Sequence, residues 1–263
     1  MDSTTRKKLN AVNEAFYAAQ AEAFDASRNH PWPGWQRAVL PLDPTRGDAR
    51  LRILDVGCGN GRFVDFLLRE ADGGEGGSRA LDYLGVDQSR ALLAIASQAH
   101  PSSEPNAVRW LGGDVLAEHP DSPLPPGPFD LIVAFGLLHH VPALEQRMGL
   151  LGALAKRIAG GGQLVFTTWR FGAVERFEKH VVPWERYNAE STDPVSIDEL
   201  EAGDYLLSFG AKTGPPRYCH YSDDAEFDRL VAATGLELRD DFEADGSSGD
   251  LNRYACFDGP DDT

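Results

Sequence analysis

Residues 55–63 read Asp-Val-Gly-Cys-Gly-Asn-Gly-Arg-Phe and follow the apolar run Leu51-Arg52-Ile53-Leu54. A strand that runs into glycines and then into a helix brings backbone close to a ligand. Glycine turns tightly and carries no Cβ to block the approach. The helix N-terminus behind it offers free N–H groups. A dinucleotide fingerprint, G-x-G-x-x-G, would need its last glycine at 62, where Arg62 stands. The spacing is instead G-x-G-x-G, built on Gly57, Gly59 and Gly61, with Asn60 between the last two and Asp55 two residues ahead. Nothing in it provides for a pyrophosphate. A carboxylate at 55 suits a ligand with a cationic amine. A tight strand-to-helix turn without a ligand is the plain alternative.

S-adenosylmethionine carries an ammonium, a carboxylate and a sulfonium, and the D-x-G-x-G-x-G run resembles the first motif of class I methyltransferases. Asp87, with Gln88 beside it, ends Leu84-Gly85-Val86-Asp87. A carboxylate there accepts both ribose hydroxyls. The usual offset is about 20 residues. Here it is 32, and the glycine-rich stretch 72–78 supplies the extra loop. Asp114, in Gly112-Gly113-Asp114-Val115, is placed to accept the adenine amino group while Val115 offers its backbone N–H. The run 129–135, ending in Phe135, resembles the fourth motif of that family, whose strand end lies beside the sulfur. Gly160-Gly161-Gly162 with 163–166 resembles the turn and fifth strand that follow. The resemblance implies S-adenosylmethionine as cofactor and S-adenosylhomocysteine as product.

His139 and His140 follow strand four. Adjacent histidines are expected to point apart, and no carboxylate or cysteine lies close in sequence, so no metal site is expected. Similar methyltransferases carry such a pair as acceptor-pocket wall; proton transfer is the other reading. The run Tyr17 to Arg28, followed by Trp32-Pro33, is similar to the cap of one methyltransferase branch. There the tyrosine and arginine close over the cofactor. The run 203–209 followed by Arg217-Tyr218-Cys219-His220-Tyr221 resembles the carboxymethyluridine (wobble) tRNA methyltransferases, as does Trp169 after strand five. Those enzymes esterify a carboxymethyl group, a reaction that requires no catalytic base because the acceptor is already ionised. The resemblance makes Trp169, Arg217, Tyr218 and His220 acceptor-pocket candidates. A surface salt bridge is the alternative for Arg217.

The elements that must position these residues alternate strand and helix. Strands are expected at 51–56, 81–87, 107–111, 129–135 and 163–169, with helices at 60–69, 89–99 and 143–159, the last stopped by the glycine triplet. This predicts an α/β, doubly wound, mostly parallel seven-stranded sheet. Residues 1–48 form an N-terminal helical cap, with a helix over 5–25. Residues 49–170 form the core, and 171–216 a lid insertion after strand five. Residues 217–263 complete the sheet, with a helix at 223–234 and strands at 236–243 and 252–257.

The chain has 263 residues and a net charge of −16, from 25 basic and 41 acidic side chains. That balance argues against a broad phosphate-binding face. Between Trp169 and His220 there are six Lys or Arg against nine Asp or Glu. The acceptor is therefore expected to be either tRNA, with a small activating protein as a further partner, or a small carboxylic acid or phenol. A cofactor-binding partner subunit without catalysis is the third reading. The three cysteines are far apart and form no disulfide framework. No apolar run approaches the ~18 residues of a membrane span, so a cytoplasmic enzyme is expected. The acidic stretch 240–250 reads as solvated surface.

Overall fold

The computed structural model describes residues 1–27, 30–39, 50–73, 80–115, 124–209 and 214–260. Helices α1 (Ser3–Ala26) and α2 (Pro33–Ala38) precede the sheet. The strands β1 (Arg50–Val56), β2 (Ala80–Asp87), β3 (Ala107–Gly112), β4 (Phe129–Ala134) and β5 (Ile158–Trp169) run parallel. Their connections hold α3 (Arg62–Gly73), α4 (Arg90–Ala99) and α5 (Leu144–Ala155). A small antiparallel sheet follows, made of β6 (Val181–Val182), β7 (Asp204–Leu207) and β8 (Arg217–His220), with α6 (Trp184–Glu190) between β6 and β7. Then α7 (Asp224–Ala233), β9 (Glu237–Ala244) and β10 (Asn252–Asp258) return to the main sheet. Its order is β3-β2-β1-β4-β5-β10-β9, and β10 alone runs antiparallel.

The apolar runs become central strands because both of their faces are covered. Side chains alternate across a strand. Leu131 and Val133 of β4 accordingly pack with Phe63, Val64 and Leu67 of α3, and Ile132 and Ala134 with Leu150, Leu151 and Leu154 of α5. Ser89 caps α4, its hydroxyl accepting from Leu92 N–H at 3.3 Å.

Three local expectations change. Helix α5 ends at Ala155, and the glycine triplet lies inside β5 rather than stopping the helix. A Cβ at Gly162 would stand 2.9 Å from the Asp130 carbonyl oxygen, so the strand passes there only as glycine. The lid is a sheet, and it continues through β8 to His220, beyond residue 216. The stretch 240–250 is not wholly solvated. Asp245 is 3% exposed and accepts hydrogen bonds from Gly34 N–H, Asn252 Nδ2 and the Tyr254 hydroxyl.

Cap and lid form one layer. Leu9 and Val12 of α1 pack with Val195, Leu206 of β7 and Tyr218 of β8. A buried ionic cluster fastens this layer to the core. Arg147 of α5 donates to Glu201 at 2.6 Å, to Glu226 of α7 at 2.9 Å and to the Val141 carbonyl at 2.8 Å. His220 sits between Asp204 (2.7 Å) and Glu226 (3.0 Å), and the Tyr218 hydroxyl donates to Asp204 at 2.7 Å. Among the described residues, no helix is long and apolar enough to cross a membrane.

Candidate active site

A cavity of about 510 Å³ opens at the C-terminal ends of β1, β2 and β4, roofed by α1 and the lid sheet. Its floor lies where the chain leaves β1 for β2 on one side and β4 pairs on the other, the topological switch point of such sheets.

The glycine loop forms one wall. Gly57 and Gly59 have φ of +77° and +54°, a region that favours glycine, and a Cβ at 57 would press on Leu137 at 3.1 Å. Gly59 N–H donates to Asp87 Oδ2 and Ser89 N–H to Asp87 Oδ1, both at 2.8 Å. The loop and the end of β2 are thereby locked together. Asn60 donates to Asp25 of α1 at 2.7 Å, tying the loop to the cap. Asp55, at the end of β1, is 2% exposed and accepts from the Tyr83 hydroxyl at 2.5 Å. Burial pushes its carboxyl up to about 7, against the pull of that hydrogen bond. Burial also raises Asp87, against three backbone N–H contacts. Two desolvated carboxylates on one wall make that end of the cavity attractive to a cation. Gln88, Val115 and Phe135 line the same cavity.

Three cofactor candidates stand differently. Gly61 is not part of the wall. Its φ is +79°, and a Cβ there would meet the Trp110 ring at 2.6 Å, so it serves packing of α3 against β3 and α4. Asp114 lies beside the wall without lining it, whereas its neighbour Val115 does. Arg28 falls outside the described residues.

The other end is aromatic. Trp169, Phe177 and Phe209 line it, together with Arg217, which is 6% exposed. The guanidinium carbon of Arg217 lies 4.8 Å from the Trp169 ring centroid, 5.6 Å from Phe16 and 5.9 Å from Phe209. Its Nε has no hydrogen-bond partner, and among the described residues it forms no ion pair. Tyr218 and His220 do not reach the cavity. In β8 the side chains alternate, so Arg217 and Cys219 face the aromatic end while Tyr218 and His220 point into the buried ionic cluster.

The histidine pair departs from expectation too. A 3₁₀ turn, Leu138–His140, brings the rings together, with centroids 4.1 Å apart, where an extended chain would have separated them. Both line the cavity. Nδ1 of His140 donates to the Tyr218 carbonyl and Nε2 accepts from the Tyr17 hydroxyl, each at 2.9 Å. Tyr17 of α1 is thus held over the cavity by a residue from the core and a carbonyl from the lid. Ligand-type atoms of His139, His140 and Cys219 also fall within 4.8 Å of one another, with both His140 nitrogens engaged by protein groups.

Sequence reasoning missed Trp35, Arg62 and Asp245 as wall residues. Arg62 stacks on Trp32 at 4.5 Å, a pairing visible only once α2 folds over the glycine loop. Asp245 has φ +72° and bonds Gly34, a contact 211 residues apart in sequence.

The family model of a methyltransferase domain matches residues 54–164. The chain carries a class I, S-adenosylmethionine-dependent methyltransferase domain. It is 24% identical over 232 residues to the tRNA (carboxymethyluridine(34)-5-O)-methyltransferase of Schizosaccharomyces pombe, covering 83% of this chain and 86% of that protein. It is 29% identical over 211 residues to the malonyl-[acyl-carrier protein] O-methyltransferase of Paenibacillus sp. (strain JDR-2), covering 75% of this chain and 70% of that protein. The chain spans about a third of the length of other curated relatives, the probable tRNA methyltransferases 9B of Mus musculus and Bos taurus. Its fold matches the crystal structure of an S-adenosylmethionine-dependent methyltransferase from Clostridium acetobutylicum. The TM-score is 0.61 at 12% identity, over 93% of this chain and 99% of that one.

Proposed function

We propose that this protein methylates a carboxylate oxygen of its acceptor, using S-adenosylmethionine. The observation that carries the reading is Arg217, a cation buried in the same cavity as the glycine loop and, among the described residues, without an ion pair. An unpaired buried charge is costly, and a carboxylate ligand offsets that cost with paired, charge-assisted hydrogen bonds. When bound, S-adenosylmethionine supplies an electrophilic methyl group and departs as S-adenosylhomocysteine.

The chain's own residues bind and orient. Asp55 faces the ammonium, Asp87 the ribose hydroxyls, and Tyr17, fixed by His140, closes the roof. Arg217 holds the acceptor carboxylate, which is already deprotonated at neutral pH, so no side chain need accept a proton. Rate then comes from orientation and from the exclusion of water by the aromatic rings. His139 and Trp169, whose rings lie 5.1 Å apart, form acceptor wall.

Two relatives support the carboxylate. A carboxymethyl group and a malonyl group, the acceptors in their names, each end in one. The first also supports a tRNA wobble uridine as the carrier, with the run Arg217–Tyr221 as the matching segment.

The test is the chemical lability of the product. Methyl esters release methanol in mild alkali, whereas N-, C- and ether-linked methyl groups do not. Labelled cofactor is incubated with the protein and a cell extract cleared of endogenous methyltransferase activity. Volatile label after alkali is the expected result, and alkali-stable label excludes the carboxylate. No transfer from a protein that binds the cofactor would favour a non-catalytic partner subunit.

A further inference from the structure

We infer that the acceptor is a small monocarboxylic acid with a flat apolar body, free in solution; this rests on the carboxylate reading above. The first ground is the surroundings of Arg217. Its guanidinium is flanked by Trp169, Phe16 and Phe209, and Phe177 meets Trp169 edge-on at 5.1 Å. The space next to this cation is therefore bounded by rings. It fits a carboxylate whose adjoining body is itself an apolar ring or chain.

The second ground is the supply of polar partners. A uracil brings two carbonyls and an N–H, and each left unpaired on burial costs about 1–3 kcal/mol. Beside the rings, the described polar side chains at this end are the imidazoles of His139 and His180 and the hydroxyl of Ser208, and Ser208 already donates to the His180 carbonyl at 3.2 Å, its backbone N–H going to the same oxygen at 2.8 Å. The wall matches an apolar ring better than a base edge.

The third ground is charge. Nucleic-acid binding rests on Lys and Arg left available for phosphates. Among the described residues the Lys and Arg side chains of the cavity wall are Arg62 and Arg217, and Arg62 is stacked on Trp32 and donates to the His30 carbonyl at 3.3 Å. On the surrounding layer Lys8 pairs with Asp193 at 2.6 Å, Arg170 with Glu243 at 2.8 Å and Arg186 with Glu190 at 3.4 Å. At a net charge of −16, repulsion acts on every phosphate of an RNA but only once on a monocarboxylate. In the reaction, a carboxylate oxygen forms a bond to the methyl carbon. The carbon–sulfur bond breaks with its electron pair left on sulfur, and no proton is displaced.

The experiment gives the full-length protein labelled S-adenosylmethionine and, in separate arms, total tRNA, the aryl acids phenylacetate and indole-3-acetate, or the polar controls acetate and succinate. In parallel, saturation-transfer NMR follows the aryl acids in the presence of S-adenosylhomocysteine, with wild type and Arg217→Met. We expect alkali-labile label on an aryl acid at least tenfold above acetate, and ring-proton saturation that Arg217→Met reduces at least tenfold. Saturation of that kind without turnover still supports the inference. Alkali-labile label on tRNA alone overturns it and leaves the carboxylate reading intact. Alkali-stable label in any arm overturns the carboxylate reading itself. Neither label nor ring saturation in the acid arms overturns the inference.

Discussion

The guanidinium carbon of Arg217 lies 4.8 Å from the centroid of Trp169, a cation packed on a ring and, among the described residues, paired with no carboxylate. Cation–π contact offsets part of the desolvation cost, by about 2 kcal/mol at a buried site, which leaves demand for an anion. Arg217→Met is expected to raise the acceptor KM roughly 10- to 150-fold. That range corresponds to a charged hydrogen bond of about 1.5–3 kcal/mol. Cofactor Kd should stay unchanged. Thermal stability should not fall, since removing an uncompensated buried charge relieves desolvation. Steady-state kinetics, cofactor calorimetry and a melting curve check the three parts, and an unchanged acceptor KM would remove Arg217 from the site.

Asp55 sets a pH dependence for cofactor binding. Burial raises its carboxyl to about 7, so below that pH the cofactor-free protein holds it neutral. A cationic amine favours the ionised form. Affinity should therefore fall as pH drops below 7, by up to about tenfold per pH unit. The stability linkage has the opposite sense. The folded state binds more protons than the unfolded between 3.8 and 7, so this group's contribution declines as pH rises through that window. Calorimetric titration from pH 5.5 to 7.5 should show the slope, and Asp55→Asn should abolish it.

What the sequence made legible follows from locality. The glycine loop, Asp87 and the strands behind them are contiguous runs whose pattern and chemistry can be read in one pass. The conformation of the histidine pair was not legible, because Leu138–His140 folds as a 3₁₀ turn and turns two neighbouring rings to one side. In the acceptor-end run Arg217–Tyr221, resemblance alone grouped Arg217, Tyr218 and His220. Once β8 pairs with β7, alternation sends Arg217 to the cavity and the other two to the ionic cluster. Asp245 was hidden for a different reason: its partners Gly34 and Tyr254 meet it only in the folded chain, and an acidic, glycine-rich stretch reads as solvent-exposed.

Gly59 and Gly61 look equivalent in sequence and should separate on substitution. Both have positive φ, which costs an alanine about 1–3 kcal/mol. At Gly61 the added Cβ also meets Trp110 at 2.6 Å, whereas at Gly59 the nearest atom is Leu92 at 3.9 Å. Gly61→Ala is expected to lower the melting temperature more. Gly59→Ala, in the cavity wall and bonded to Asp87, should weaken cofactor binding more. Melting curves and cofactor titrations on both variants check the crossover; equal effects on both readouts would contradict it.

The cluster joining lid to core should make stability depend on pH at both ends. Burial works to raise Glu226, yet the hydrogen bond from His220 and the charge of Arg147 outweigh it and hold the carboxyl at about 2. A depressed folded-state pKa contributes stability above the unfolded value near 4.5, and that contribution is lost as pH falls toward 2. Burial works to lower His220, but Asp204 and Glu226 win and raise it above 6.5. Its contribution is therefore complete below 6.5 and is lost as pH rises through the raised value. Between those limits removing Arg147 takes away the fully buried cation that pairs with both Glu201 and Glu226 and leaves His220, 3.7 and 3.0 Å from them, to offset their charge together with that of Asp204. Arg147→Met is expected to cost about 3–5 kcal/mol, the range for breaking one partner out of a buried pair. Glu226→Gln should flatten the acid limb of the melting profile between pH 4.5 and 2.5, and His220→Gln the alkaline limb. Acid and alkaline limbs unchanged in those two variants would mean that the cluster does not govern attachment of the lid.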